Sequence, residues 1–145
     1  MRLWHKDLID VLPRQQLISQ WRECCCIARN IADNGTPNHI LVNKVITYSQ
    51  SDFLKYTKLV LNEMKRRGYN ILSSSFDKFI ENLDLGYEFF NNGMCSESYY
   101  GDLFGDWHND RYLKQCMCNL QEKYDCGGVS EEEWRKIIYK FDGVL

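Results

Sequence analysis

The sequence predicts an all-α protein of a single domain that spans residues 1–145. Apolar residues recur every three or four positions along most of the chain, and segments that alternate apolar and polar residues are almost absent. The chain has only two prolines, Pro13 and Pro37, and no internal repeat or low-complexity tract. With 145 residues, 44% of them hydrophobic and 26% charged, it has the composition of a soluble protein with a proper core.

The first predicted helix begins near Pro13, which suits a first helical turn, and runs to about Asn34, where Asn34 and Gly35 break it. Its apolar positions are Leu17, Ile18, Trp21, Cys25, Ala28 and Ile31/Ala32. We expect the core stripe to follow positions 18, 21, 25 and 28. This places Arg22 and Arg29 on one bordering face of the helix, with Glu23 beside them.

The clearest helix further along is SQSDFLKYTKLVLNEMKRRG, with Ser49 or Ser51 as its N-cap and Gly68 at its end. The segment HILVNKVITY before it fits either a strand or a buried helix. Three more helices are predicted, over Phe76–Leu83, over DRYLKQCMCNLQEKYD, and after a capping box formed by Ser130 and Glu133.

A long loop rich in tyrosine and glycine, NNGMCSESYYGDLFGDWHND, separates the third and fourth predicted helices. Aromatic side chains on such a loop either stack on nucleic-acid bases or anchor the loop to the core. Anchoring is the commoner use, and we favour it for Tyr99, Tyr100, Phe104 and Trp107.

The net charge of −2 hides an uneven distribution. Residues 1–70 contain eleven Lys and Arg against six Asp and Glu, whereas residues 71–145 contain seven against fourteen. Either the charges segregate by chance, or the first half builds a basic face that contacts nucleic acid. No stretch approaches the roughly 18 apolar residues of a membrane span, and the N-terminus lacks an apolar signal region. We therefore expect a cytoplasmic monomer that does not bind membranes.

Seven cysteines raise the question of a metal or redox site. Cys24, Cys25 and Cys26 are separated by about 100° each on a helix, so they cannot easily converge on one metal ion. Cys116, Cys118 and Cys126 also lack the usual spacing of zinc ligands. We expect reduced thiols that are buried or incidental, of which Cys25 and Cys116 pack as small hydrophobic groups, with no disulfide, no metal and no cofactor. The alternative is a thiol or metal regulator that uses His108 as a ligand.

An Arg–Glu pair on a helix is usually a solvated surface feature, and Arg22 and Glu23 taken alone would be no exception. Their context changes the interpretation. The opening MRLWHKDLIDVLPRQQLISQWRECC resembles the pyrimidine-dimer DNA glycosylases, the endonuclease V of the phage type, above all at Trp21-Arg22-Glu23 and at Gln15-x-Leu17. The resemblance resumes at VITYSQSDFLKYTKLVLNEMKRRGYNI and covers about the first half of the chain.

This resemblance implies an enzyme that removes damaged bases from duplex DNA and cuts at the resulting abasic site. Members use the N-terminal α-amine as nucleophile, a glutamate on the first helix as the second catalytic group, and no metal. Carried over to this chain, the catalytic groups are Met1 and Glu23, and Arg22 is the neighbouring arginine that contacts DNA. Arg2 matches the arginine that follows the nucleophile. Further phosphate contacts are expected from Arg14, Arg29, Lys6 and Lys44.

An α-amine is a suitable nucleophile on physical grounds. Its ordinary pKa is about 7.7–8.0, against about 10.4 for lysine, so roughly a third of such amines are neutral at pH 7.5 compared with about 0.1% of lysines. The amine attacks C1′ of the sugar and expels the base. A damaged nucleotide within a stacked duplex must first be displaced or flipped.

The sequence departs from the phage-type pattern at three positions. Arg2 stands where a small residue allows removal of Met, so we expect Met1 to be retained and to supply the amine. Gln16 replaces a histidine and Cys26 replaces an arginine, a positive charge that we expect Arg29 to restore. The rival hypothesis is a non-enzymatic α-helical module that binds protein or nucleic acid.

Overall fold

The computed structural model describes residues 1–90 and 102–145, and both ranges are helical without any strand. The all-α prediction is therefore confirmed. The five α-helices are α1 (Arg14–Asn34), α2 (Gln50–Arg66), α3 (Ser73–Gly86), α4 (Asp110–Asp125) and α5 (Glu131–Lys140). Three short 3₁₀ helices are also present, at Lys6–Val11, Asn43–Thr47 and Tyr87–Phe89. None of these helices is both long enough and apolar enough to cross a membrane.

Helix ends follow the local signals in the sequence. Gly35 ends α1 in the left-handed region at φ 77°, where glycine carries no steric penalty. The Ser49 side chain accepts a hydrogen bond from the Asp52 amide at the start of α2. Ser130 and Glu133 form a complete capping box at the start of α5. These three predictions are confirmed.

Three sequence predictions need correction. The ambiguous segment before α2 is neither strand nor α-helix but contains the short 3₁₀ helix Asn43–Thr47, and α3 extends three residues beyond each end of the predicted Phe76–Leu83. The buried stripe of α1 is also rotated from the expected one. Cys24 is fully buried and Cys25 only partly, because α1 packs on several elements at once and also buries the polar Gln20.

Helix α1 lies at the centre of the fold and packs most extensively on α3 and then on α2. Gly86 of α3 allows the close approach, since a Cβ atom there would lie 2.7 Å from Cγ2 of Ile31. The Trp21 and Phe79 rings pack at 5.6 Å between centroids. Buried apolar side chains from all five α-helices join this contact in a common core.

The basic end of α2 serves the fold. Arg66 and Arg67 both bind the carboxylate of Glu63, and Arg67 also donates to the Leu12 carbonyl at 2.8 Å. Burial raises the pKa of Glu63, but the hydrogen bonds from Arg66 and Arg67 outweigh burial and hold this pKa below its ordinary value. The pairing fixes the end of α2 against the segment that leads into α1.

The N-terminal segment passes between α1, α2 and α4. The Tyr56 hydroxyl of α2 donates to the Trp4 carbonyl at 2.6 Å, and the Tyr112 hydroxyl of α4 donates to the Leu3 carbonyl at 2.6 Å. An aromatic cluster packs around this segment, consisting of His5, Tyr48, Tyr56, Phe104, Trp107, His108 and Tyr112.

The aromatic residues of the long loop divide into two pairs. Phe104 and Trp107 are buried in the aromatic cluster, so the expected anchoring role is confirmed for them. Tyr99 and Tyr100 lie outside the described residues.

Two histidines from opposite ends of the chain stack inside the cluster, with ring centroids of His5 and His108 5.2 Å apart. The His108 Nδ1 atom accepts a hydrogen bond from the Lys6 amide at 3.0 Å, and the His5 Nε2 atom donates to the His108 carbonyl at 3.0 Å. Burial, followed by the nearby His5 and Lys6, lowers the pKa of His108 to about 2. Burial also lowers the pKa of His5.

We predict that the free energy of unfolding falls as the pH decreases from about 7.5 to about 5. His108 stays neutral in the folded protein across this range, and the lowered pKa of His5 acts in the same direction, whereas in the unfolded chain both rings take up protons below the ordinary histidine pKa of 6.5. His108 alone accounts for about 2 kcal/mol across this range. Urea unfolding at several pH values measures the slope. His108→Asn, which keeps an acceptor for the Lys6 amide, should flatten it, and an unchanged slope would contradict the assignment.

Candidate functional site

The N-terminus and Glu23 line the same surface cavity, which has a volume of about 290 Å³. Met1, Arg2 and Trp4 contribute the N-terminal side, and Glu23 contributes the side formed by α1. The remaining wall consists of Leu41, Asn119 and Lys123. The cavity therefore brings together an amine, a carboxylate and a lysine from three separate parts of the chain.

The side-chain amide of Gln20 fixes the N-terminal segment against α1. Its oxygen accepts the Trp4 amide at 2.7 Å, and its nitrogen donates to the Arg2 carbonyl at 2.9 Å and to Glu23 Oε2 at 3.2 Å. Gln20 is completely buried, so these partners cannot be replaced by water at no cost. One side chain thus positions both the backbone next to Met1 and the carboxylate of Glu23.

Two tyrosine hydroxyls complete this network. Tyr56 binds both the Trp4 carbonyl and Gln20 Oε1, the latter at 2.9 Å. Burial raises the pKa of Tyr56 and of Tyr112, so both hydroxyls remain protonated donors at neutral pH. The segment that carries Met1 is therefore held by α1, α2 and α4 together.

Glu23 is partly buried and lies one helical turn after Gln20. Its Oε2 atom accepts a hydrogen bond from the backbone amide of Arg2 at 3.3 Å as well as from Gln20. The nitrogen in direct contact with the carboxylate is thus that of Arg2, and Met1 lies one residue further out. Met1 is 36% exposed.

The four candidate DNA-binding arginines do not share one location. Arg22 is exposed on α1 beside Glu23, and Arg29 lines a second cavity of about 380 Å³ with Cys26 and Lys78. The Arg2 guanidinium lies 5.4 Å from the centre of the Trp4 ring, so its side chain packs inward while its amide contacts Glu23.

Arg14 lies apart from the other candidates, at the start of α1. Its guanidinium covers the Tyr69 ring at 4.6 Å, and it lines a different cavity from that of Met1 and Glu23. Eight residues of helix separate it from Arg22, which corresponds to about 12 Å along the axis. The structure therefore groups Arg22 and Arg2 with Glu23 and leaves Arg14 at a distance.

Among the described cysteines, only Cys24 and Cys116 are buried in the core, whereas Cys118 and Cys126 are exposed. The six cysteines outside residues 91–101 are free. Burial raises the pKa of the Cys24 and Cys116 thiols, and it raises the pKa of Cys25 to about 11. Within residues 1–90 and 102–145, no three His, Cys, Asp or Glu side chains lie close enough to hold a metal ion. His108, the ligand of the alternative hypothesis, instead uses Nδ1 for the Lys6 amide.

Sequence reasoning missed Gln20, Asn119 and Lys123. A glutamine among the apolar residues of α1 was the available signal for Gln20, because a buried polar residue needs specific partners. Nothing in the sequence links Lys123 to Glu23, one hundred positions earlier. Lys123 is nevertheless the second amine of the cavity, whereas the Lys6 ammonium donates to the Leu103 carbonyl at 2.8 Å.

Comparison with known proteins identifies the family to which the first half of the chain is similar. A family model described as pyrimidine dimer DNA glycosylase matches residues 1–77, more than half of the chain. No curated protein and no solved structure matches this chain. The matched residues include Met1, Gln20, Glu23 and Leu41, whereas Tyr112, Asn119 and Lys123 lie beyond them. The chain belongs to the pyrimidine dimer DNA glycosylase family.

Proposed function

We propose that the protein is a DNA glycosylase and abasic-site lyase that acts on damaged duplex DNA, with pyrimidine dimers as its substrate. The Met1 α-amine is the nucleophile and Glu23 is the group that moves protons. The observation that carries this proposal is the common cavity lined by Met1 and Glu23, in a chain whose family is that of pyrimidine dimer glycosylases.

The reaction begins when the neutral Met1 amine attacks C1′ of the damaged nucleotide. The new N–C1′ bond forms as the glycosidic bond breaks, and the base leaves with a proton. Opening of the sugar ring then breaks the C1′–O4′ bond, O4′ receives a proton from the acid form of Glu23, and an iminium ion is left between Met1 and the sugar. Glu23 removes a proton from C2′, and the electron pair expels the 3′ phosphate, which cuts the strand. Water finally releases the sugar from Met1.

The surrounding residues have supporting roles in this proposal. Arg22 is exposed on the same helix next to Glu23 and contacts a DNA phosphate, as does Arg29 two turns later. Arg2 assists chiefly through its amide, which donates to Glu23. Arg14 contacts a more distant phosphate.

Blocking the amine should abolish covalent trapping. We predict that an uncleaved N-terminal extension prevents borohydride trapping on DNA with an abasic site, because a peptide nitrogen cannot form an imine. Denaturing electrophoresis measures the trapped complex. Lys123→Met is the matched control, since it removes the other amine of the cavity and should still trap. Trapping by the extended protein but not by Lys123→Met would assign the nucleophile to Lys123.

Replacing the carboxylate should separate binding from cleavage. We predict that Glu23→Gln lowers the rate of strand cleavage by about 10²–10⁴-fold, because the amide has nearly the same volume but cannot accept the C2′ proton. Affinity for duplex DNA with an uncleavable abasic analogue should stay within about twofold. The exposed Glu81→Gln on α3 is the control. A Glu23→Gln enzyme that cleaves at the normal rate would rule out the proposed role.

Gln20 should act as a positioning residue. We predict that Gln20→Met lowers the single-turnover trapping rate at saturating DNA by about 10–100-fold, because a small displacement of the amine is costly for the reaction. The dissociation constant for DNA should not change.

Thr57→Val controls for a general loss of stability, since Thr57 is equally buried and donates to the Phe53 carbonyl within α2. If the two substitutions lower the trapping rate equally, Gln20 has only a structural role and does not position the reacting groups.

A further inference from the structure

A second cavity, with a volume of about 380 Å³, lies between α1 and α3. Among the described residues, five polar side chains line it, two of them cations and none of them a carboxylate, namely Arg29 from α1 and Ser74, Ser75, Lys78 and Asn82 from α3. The rest of its wall consists of Cys25, Cys26 and Phe79. Two cations that line one cavity without a carboxylate create a positive potential, so the cavity suits an anion.

The five polar side chains of this cavity are not used by the fold. Within residues 1–90 and 102–145, none of them makes a hydrogen bond or an ion pair with another residue. Glu81 lies one turn after Lys78 on α3 but is not part of the cavity wall. Arg67, in contrast, is held by the carboxylate of Glu63. Arg29 and Lys78 are therefore available to a ligand.

The two helices that carry these cations are fixed to each other. Helix α1 packs more extensively on α3 than on α2. The Trp21 and Phe79 rings lie 5.6 Å apart between centroids, and the buried Phe79 also forms part of the cavity wall. Gly86 allows the close approach of the helices. The core thus sets the backbone positions of Arg29 and Lys78, so little conformational entropy is lost in bringing them together around a ligand.

The cavity continues the face of α1 that carries the exposed Arg22. Arg22 and Arg29 are about two turns apart and point within about 20° of each other, and Cys26 of the cavity wall lies between them on that face. Arg29 follows Glu23 by about 9 Å along the helix axis. One strand of duplex DNA advances by about 3.4 Å per nucleotide. Arg29 therefore lies about two to three nucleotides away from a sugar bound at Glu23.

We propose that Arg29 and Lys78 together hold one backbone phosphate of the DNA in this cavity, two or three nucleotides from the reacting sugar. The hydroxyl and amide groups of the cavity wall are further donors to the phosphate oxygens. This phosphate clamp, defined by Arg29 and Lys78, rests on the proposed reaction at Met1 and Glu23. It adds to that reaction a DNA contact from α3, because Lys78 lies just beyond the residues 1–77 that the family model matches.

The salt dependence of binding counts the phosphates that the clamp holds. The probe is duplex DNA with a tetrahydrofuran abasic analogue, which cannot form an imine, and fluorescence anisotropy measures its affinity at several salt concentrations. Lys78→Gln alone should weaken binding by about 2–5-fold. The Arg29→Gln/Lys78→Gln double variant should lower the slope of log K against log salt by about 0.9, which corresponds to one phosphate.

Two outcomes of this measurement would overturn the clamp. A decrease of about 1.8 in the slope would mean that the two cations hold separate phosphates. An unchanged affinity of Lys78→Gln would mean that Arg29 binds alone. Lys114→Gln is the matched control, because this exposed lysine lies on the side of α4 opposite to Lys123, and it should change neither the slope nor the affinity.

Neutral methylphosphonate linkages locate the phosphate directly. Each linkage of either strand is replaced in turn, and the affinity of each duplex is measured. One position, two or three nucleotides from the analogue, should weaken binding of the unmodified protein but not of the double variant. The same map for both proteins would contradict the proposal. Failure of covalent trapping with the expected map retained would overturn the Met1 assignment and support the clamp.

Discussion

The buried amide of Gln20 is the interaction on which the geometry of the site depends. Within one side chain it satisfies the Trp4 amide, the Arg2 carbonyl and the Tyr56 hydroxyl, and it also donates to Glu23. A buried amide that loses a partner costs far more than the bond contributes, so the network holds as a unit. Helix α1 therefore sets the positions of both the N-terminal segment and the Glu23 carboxylate. A displacement of the Gln20 side chain would move both groups.

The second half of the chain supports this arrangement from outside the region that the family model matches. Tyr112 binds the Leu3 carbonyl, and the His108 ring accepts the Lys6 amide. Helix α4 also supplies Asn119 and Lys123 to the cavity wall. The acidic character of residues 71–145 is thus compatible with a positioning role, although this half also places the exposed Lys123 in the cavity of Glu23.

Sequence reasoning predicted those features that depend on short-range physics. Helical periodicity and capping residues located α1, α2 and α5, since both signals act within a few positions along the chain. The spacing of apolar residues did not predict which face of α1 is buried. A stripe of apolar residues leaves out Gln20, which the structure buries. It also did not predict that Arg14 and Arg22 lie at different sites. Spacing along a helix shows which residues share a face, but it does not show which other parts of the chain pack against that face.

The pairing of Met1 with Glu23 was expected from the family resemblance alone. The remaining walls of the cavity could not be predicted, because they come from the Leu41 loop and from α4.

The most direct test of the proposed mechanism identifies the atom that bonds to the sugar. Borohydride reduction on DNA with an abasic site, followed by nuclease and protease digestion and mass spectrometry, locates the adduct. We expect the sugar on the α-amine of Met1, and an adduct on Lys123 or Lys6 would contradict this assignment.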